Sequence, residues 1–187
     1  MPSELENKAA AVIERAEESG LSIITAESCT AGALATLLAD APGAGACFHG
    51  GFVTYTKSAK QALLTIPRAV IEKCTAVSKE VAVRMAKGAL KASGADVAIA
   101  VTGVAGPEPD EDGNPVGLMH IAAATRGGNV RHVKIVSDST SCKVNRERAL
   151  RDALTLLTTA LSDAMRETTE SEKTERPRLR PHSQTRS

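Results

Sequence analysis

The stretch TAESCTAGALATLL, residues 25–38, sets Ser28, Cys29 and Thr30 between an apolar run and a segment rich in alanine and leucine. A hydroxyl or thiol in the turn from a strand's carboxyl end into a helix faces the crevice where open α/β sheets bind their ligands. The first N–H groups of that helix lack intrahelical partners and can serve an oxyanion or a phosphate. Ser28 is therefore a candidate nucleophile. Ser28 or Thr30 could equally be a helix N-cap, worth about 1 kcal/mol, and the residues alone leave both roles open. Cys29 is the rival nucleophile, since a helix N-terminus lowers a thiol pKa, or else a small buried apolar side chain.

A serine nucleophile needs a base. His182 lies in a polar C-terminal run, His120 and His132 in strand-like segments and His49 in a glycine-rich loop, so no Ser/His/Asp triad is evident. Lysine can act instead where burial disfavours its ammonium form. YTKSAK offers Lys57 and Lys60 beside Tyr55, the sole tyrosine; the alternative is that both are ordinary solvated lysines. In TGVAGP, residues 102–107, Gly103 and Gly106 would let backbone approach a ligand, or simply make a tight turn. The acidic run Glu108, Asp110, Glu111 and Asp112 lacks EF-hand spacing and reads as a solvated loop. Cys29, Cys47, Cys74 and Cys142 show no C-x-x-C spacing, so no zinc site is expected. Phe48, Phe52 and Tyr55 fall close together in GFVTYT and the residues before it, either by chance or around a pocket.

These residues need elements to hold them. Leu5, Ala9, Val12, Ile13 and Ala16 recur at helical spacing before Gly20, which predicts an N-terminal helix over 3–19. LSIITA is a short strand, followed by a helix from Thr30 to Ala39. GFVTYT reads as a second strand, Lys57 to Leu64 as a short helix, and Pro67 to Lys73 as another. Ser78 N-caps a longer helix whose apolar face includes Val81, Ala82, Met85, Ala86, Ala89 and Leu90. ADVAIAVTG is continuously apolar, as befits a strand buried on both faces. GLMHIAAAT and NVRHVKIVS predict an antiparallel hairpin, and a last helix is expected from Asn145 to Met165. Helices alternating with strands, then a hairpin, predict a mixed sheet covered on both faces.

The 187 residues, with 42% hydrophobic content, suit one domain, expected over 1–166, and the charged stretch 167–187 reads as a disordered polar tail. A formal net charge of +1 suggests neither a nucleic-acid nor a membrane partner, which leaves a small molecule. Met1 to Glu18 is charged and helical in character rather than a signal peptide, and a cytoplasmic location is expected.

AESCTAG, GFVTYTKSAK, AVSKEVAVRMAKGAL, VTGVAGP with the later PVG, and the region of Arg146 occur in an order that resembles the CinA C-terminal-domain family, the nicotinamide mononucleotide (NMN) amidohydrolases, over roughly residues 5 to 165. The resemblance implies a three-layer α/β/α sandwich with a mixed, mostly parallel central sheet. It implies hydrolysis of the NMN carboxamide to nicotinate mononucleotide and ammonia in pyridine-nucleotide salvage, without metal or cofactor, by a homo-oligomer. The family's serine falls on Ser28, its tyrosine on Tyr55 and its lysine on Lys60. Lys60, kept neutral by burial, would take the Ser28 proton either directly or by way of Tyr55, with backbone donors of the following helix holding the oxyanion. Thr102, Gly103, Gly106 and Arg146 would then contact ribose and phosphate, Thr30 and Gly32 would also bind substrate, and Phe48 would stack on the pyridine. Three departures stand out: Ala31 replaces a glycine, EPDEDGN replaces a glycine-rich loop, and Lys57 replaces an asparagine, its charge expected to depress the Lys60 pKa. A non-catalytic nucleotide- or partner-binding module and a serine amidase for another amide are the competing readings.

Overall fold

The computed structural model describes residues 1–175. Helix α1 (Glu4–Ser19) starts at a capping box between Ser3 and Glu6 and stops at Gly20, which adopts the left-handed φ of 63° that glycine tolerates. Strand β1 (Ile23–Glu27) leads through a tight turn into α2 (Ala33–Ala39), then α3 (Ala44–Cys47) and β2 (Phe48–Val53). Next come α4 (Lys57–Leu64), α5 (Arg68–Cys74) and α6 (Lys79–Ser93), the last capped by Ser78 as expected. Strand β3 (Val97–Gly103), the hairpin β4 (Met119–Thr125) and β5 (Val130–Ile135), and α7 (Cys142–Glu175) complete the order.

The sheet runs β2-β1-β3-β4-β5. β1 is parallel to both neighbours, while β4 is antiparallel to β3 and to β5, so four of the five strands point the same way. The sheet is thus mixed and layered as an α/β/α sandwich. Alternation along the strands decides what lies on each face. Val97, Ile99 and Val101 of β3 face α1, α2 and α7, whereas Ala98 and Ala100, with Ala122 and Ala124 of β4, face α6. The small alanines let Ala82, Ala86 and Ala89 of α6 lie close against the sheet. α4 is drawn in as tightly: a Cβ on Gly88 of α6 would stand 2.4 Å from the Leu64 carbonyl oxygen.

Several boundaries differ from the sequence-based expectation; β2, for one, spans Phe48–Val53 and not GFVTYT, residues 51–56, so Thr54, Tyr55 and Thr56 lie beyond the strand. α2 begins at Ala33 rather than Thr30, because the turn before it passes through left-handed φ angles at Ala31 (53°) and Gly32 (93°). α7 begins at Cys142 and runs past Met165 to Glu175, so the first nine residues of the expected disordered tail are helical. Its polar extension has an anchor: Glu167 accepts from the Thr125 hydroxyl (2.9 Å) and the Asn129 N–H (3.3 Å) at the β4–β5 turn. Residues 176–187 lie outside the described residues. Among the described residues no helix is long and apolar enough to cross a membrane.

Because α4 carries Lys60, its closeness to α6 bears on the site. Gly88→Ala is expected to destabilise the fold by about 1–3 kcal/mol through overpacking, read as a lower urea midpoint. An unchanged midpoint would contradict the tight α4–α6 contact.

Candidate active site

The carboxyl ends of β1 and β3 lie side by side, and the turn after β1 continues their pairing, since the Ser28 N–H donates to the Val101 carbonyl at 2.9 Å. That bond leaves the Ser28 side chain at the rim of the sheet, 7% exposed. α4 starts where the Thr56 hydroxyl caps the Ala59 N–H, and its first turns bring Lys60 inward until only 1% of the residue is exposed. Lys60 Nζ donates to the Thr54 carbonyl at 2.7 Å and lies 2.8 Å from Ser28 Oγ. Ser28 Oγ also lies 3.5 Å from the Tyr55 carbonyl.

Burial disfavours the Lys60 ammonium and brings its pKa down to about 8. Cys29 goes the other way: burial pushes its thiol up to about 12, so it is neutral at physiological pH and belongs to the apolar core. The rival nucleophile is therefore a poor one. The Lys57 expectation is also overturned. Its ammonium sits 2.8 Å from Glu111 and 2.7 Å from Asp112, which raise its own pKa, and burial accounts for the depressed Lys60. The acidic loop is solvated as expected, with Glu108, Glu111 and Asp112 exposed, and it is also tied down. Asp110 accepts from the Asp112 and Asn114 N–H groups, and the Asn114 amide reaches Thr75.

Ser28 and Lys60 open onto a pocket of about 870 Å³ that Tyr55, Thr102, Gly103, Gly106 and Arg146 also line. Arg146, the fifth residue of α7, donates from Nε to the Cys29 carbonyl at 2.8 Å. Lys57 and Arg68 (2.6 Å from Glu72) are paired with carboxylates, so among the described residues Arg146 is the pocket guanidinium without a carboxylate partner. The Thr102 hydroxyl donates to the Ala76 carbonyl. Gly103 has a structural reason to be glycine, because a Cβ there would meet Met119 and the Leu118 carbonyl below 3 Å. Gly106 has φ 105°, open to glycine alone without strain.

Other expected site residues stand elsewhere. Phe48 begins β2 opposite Ile23, at the amino ends of the strands, and packs on the core under α1 and α7; it cannot reach the pocket. Tyr55 is 64% exposed and meets Ser28 through its backbone carbonyl, so the direct Ser28–Lys60 contact makes a tyrosine relay unnecessary. Thr30 is buried, and among the described residues its hydroxyl has no hydrogen-bond partner and caps nothing. Ala31 is exposed and strains the turn through its positive φ instead of crowding the pocket.

Glu27 is the residue the sequence reading missed. Fully buried, it accepts from the N–H groups of Gly32 (3.0 Å), Leu34 (3.1 Å) and Ala35 (2.8 Å), which takes the α2 donors expected to serve an oxyanion. The N–H of Cys29, beside Ser28, makes no backbone–backbone hydrogen bond among the described residues. A charged residue closing a buried apolar strand was the available signal.

The CinA C-terminal domain family matches residues 5–161. Protein YdeJ of Escherichia coli (strain K12) is 38% identical over 153 residues, covering 82% of this chain and 88% of that protein. A CinA-like protein of Geobacter sulfurreducens is 45% identical over 118 residues, 63% of this chain, and the match covers 29% of that longer protein. A crystal structure of the competence/damage inducible protein CihA from Agrobacterium tumefaciens superposes with a TM-score of 0.82 at 39% identity, covering 87% of this chain and 98% of that one.

The buried lysine has a thermodynamic signature. Its pKa is lower folded than unfolded, so between about 8 and 10.5 the unfolded chain holds the extra proton and stability rises with pH. From pH 8 to 9 the unfolding free energy of the parent, minus that of Lys60→Met, is expected to climb by about 1 kcal/mol. Urea unfolding at the two pH values measures it, and a flat difference would mean that Lys60 is not desolvated.

Proposed function

The chain belongs to the CinA C-terminal domain family, and we propose that it is an amidohydrolase that converts the carboxamide of NMN to a carboxylate and ammonia. The observation that carries this reading is the 2.8 Å contact between Ser28 Oγ and a lysine whose burial brings its pKa down to about 8. A neutral amine at that distance can accept a proton from the serine hydroxyl.

In the proposed reaction Lys60 takes the Ser28 proton as Oγ attacks the amide carbon. In this scheme the Cys29 N–H donates to the developing oxyanion, an interaction worth about 3 kcal/mol in other hydrolases. The C–N bond then breaks and Lys60 returns the proton to the departing nitrogen, releasing ammonia and leaving an ester on Ser28. Water attacks the ester, Lys60 accepts its proton, and that proton restores the serine hydroxyl as the carboxylate leaves. Arg146 has no carboxylate partner and supplies a guanidinium for the phosphate, the pairing for which its geometry suits. Tyr55, not Phe48, is the aromatic residue at the pocket. The pocket wall bearing Glu108, Asp110, Glu111 and Asp112 favours one other reading, the same chemistry on a different amide.

Ammonia release from NMN tests the proposal. Ser28→Ala and Lys60→Met are expected to lower kcat by about a thousandfold or more, while Cys29→Ser stays near the parent. A well-folded parent that leaves NMN intact but hydrolyses another amide in a panel would move the assignment to that substrate; inertness toward all would favour a binding module. The pH profile is a separate test. kcat/KM should rise toward a plateau with a midpoint near 8, because only neutral Lys60 is a base. Lys57→Ala should leave that midpoint in place, and a shift would restore Lys57 as the cause of the lowered pKa.

A further inference from the structure

Burying a carboxylate is costly unless hydrogen bonds replace its water. Glu27 is fully buried at the end of β1, yet each oxygen is served twice. Oε2 accepts from the Gly32 and Leu34 N–H groups, and Oε1 accepts from the Ala35 N–H and, at 3.3 Å, from the Thr25 hydroxyl. One side chain therefore bridges residue 27 to residues 32, 34 and 35 and closes the neck of the turn that holds Ser28. That turn contains two left-handed residues, one of them the strained Ala31, and would not hold this shape by local preference.

The backbone of the same residue reaches the other partner. The Glu27 carbonyl accepts from the Thr54 N–H at 2.7 Å and its hydroxyl at 3.4 Å, and the Thr54 carbonyl in turn accepts from Lys60 Nζ at 2.7 Å. A continuous path thus runs from the α2 N-terminus through Glu27 and Thr54 to Lys60, and the Lys60–Ser28 contact closes it. We propose that Glu27 is a positioning residue: its carboxylate, spanning the turn after β1, sets the separation and orientation of Ser28 Oγ relative to Lys60 Nζ. The inference rests on the Ser/Lys reading of the site but not on the identity of the amide. Both oxygens must accept, so the glutamine isostere cannot replace the carboxylate: its amide NH₂ would face the Ala35 N–H, leaving two donors opposed.

Labelling of Ser28 by a fluorophosphonate is the test, because it needs no substrate. Ser28 Oγ attacks phosphorus, fluoride leaves, and Lys60 takes the proton. Glu27→Gln is expected to slow labelling about tenfold or more, in line with the sensitivity of such reactions to small misplacements. On NMN the same loss should fall on kcat, with KM held within about twofold, and the pH midpoint should stay near 8, since Lys60 remains buried. Should Glu27→Gln fail to fold, Glu27→Asp keeps the charge but withdraws the carboxylate by one methylene, and a comparable slowing is expected. A folded Glu27→Gln or Glu27→Asp protein labelled at the parent rate would overturn the positioning role. A parent whose Ser28 is not labelled would overturn the nucleophile reading beneath it, a failure that the parent measurement alone distinguishes.

Discussion

The site depends on a lysine kept out of water. An ammonium in the interior is strongly disfavoured, and the fold answers by lowering the Lys60 pKa instead of pairing it with a carboxylate. Its two hydrogen-bond neighbours, the Thr54 carbonyl and the Ser28 hydroxyl, are neutral. A carboxylate there would hold the lysine charged and useless as a base. Glu111 and Asp112 on the pocket wall are paired with Lys57, and the Glu27 carboxylate is taken up by backbone N–H groups.

Keeping Lys60 dry requires α4 to lie flush on the rest of the protein. The alanine face of β3 and β4 brings α6 close to the sheet, and Gly88 lets α4 press against α6 without an intervening side chain. On the opposite face larger residues, Val97, Ile99, Val101, Met119 and Ile121, fill the space beneath α1 and α7. α7 also contributes directly to the pocket: Arg146 holds the Cys29 carbonyl, while Asn145 donates its amide to the carbonyls of Ala105 (2.9 Å) and Ser139 (2.8 Å). Its amino-terminal end therefore ties together the loops that follow β1, β3 and β5.

Much of this was legible in the sequence because it is local. The sequence predicts helix Lys57–Leu64 with its observed boundaries, Ser78 as a cap and ADVAIAVTG, 95–103, as a doubly buried strand, observed over Val97–Gly103, since spacing, capping and hydrophobicity report these directly. Family motifs pointed to Ser28 and Lys60, which the structure brings together with Thr102, Gly103, Gly106 and Arg146. What escaped depends on partners far along the chain. The role of Lys57 turns on Asp112, 55 residues away, and the helical extension of α7 on Glu167 finding the hairpin turn. The resemblance implies a pyridine-stacking role for Phe48, but the length of the six-residue β2 holds it at the end of the sheet away from the pocket. A charge closing a buried apolar run hinted at Glu27, but its partners are backbone N–H groups, which side-chain spacing does not identify.

The most direct test is the titration of Lys60 itself. Carbon-13 NMR of protein with labelled lysine side chains, assigned through Lys60→Met, would follow each amine across the alkaline range. The account predicts that one resonance, absent from the variant, titrates with a midpoint near 8, well below the bulk lysines at about 10.4. A Lys60 signal that titrates with the bulk would contradict a neutral lysine base beside Ser28.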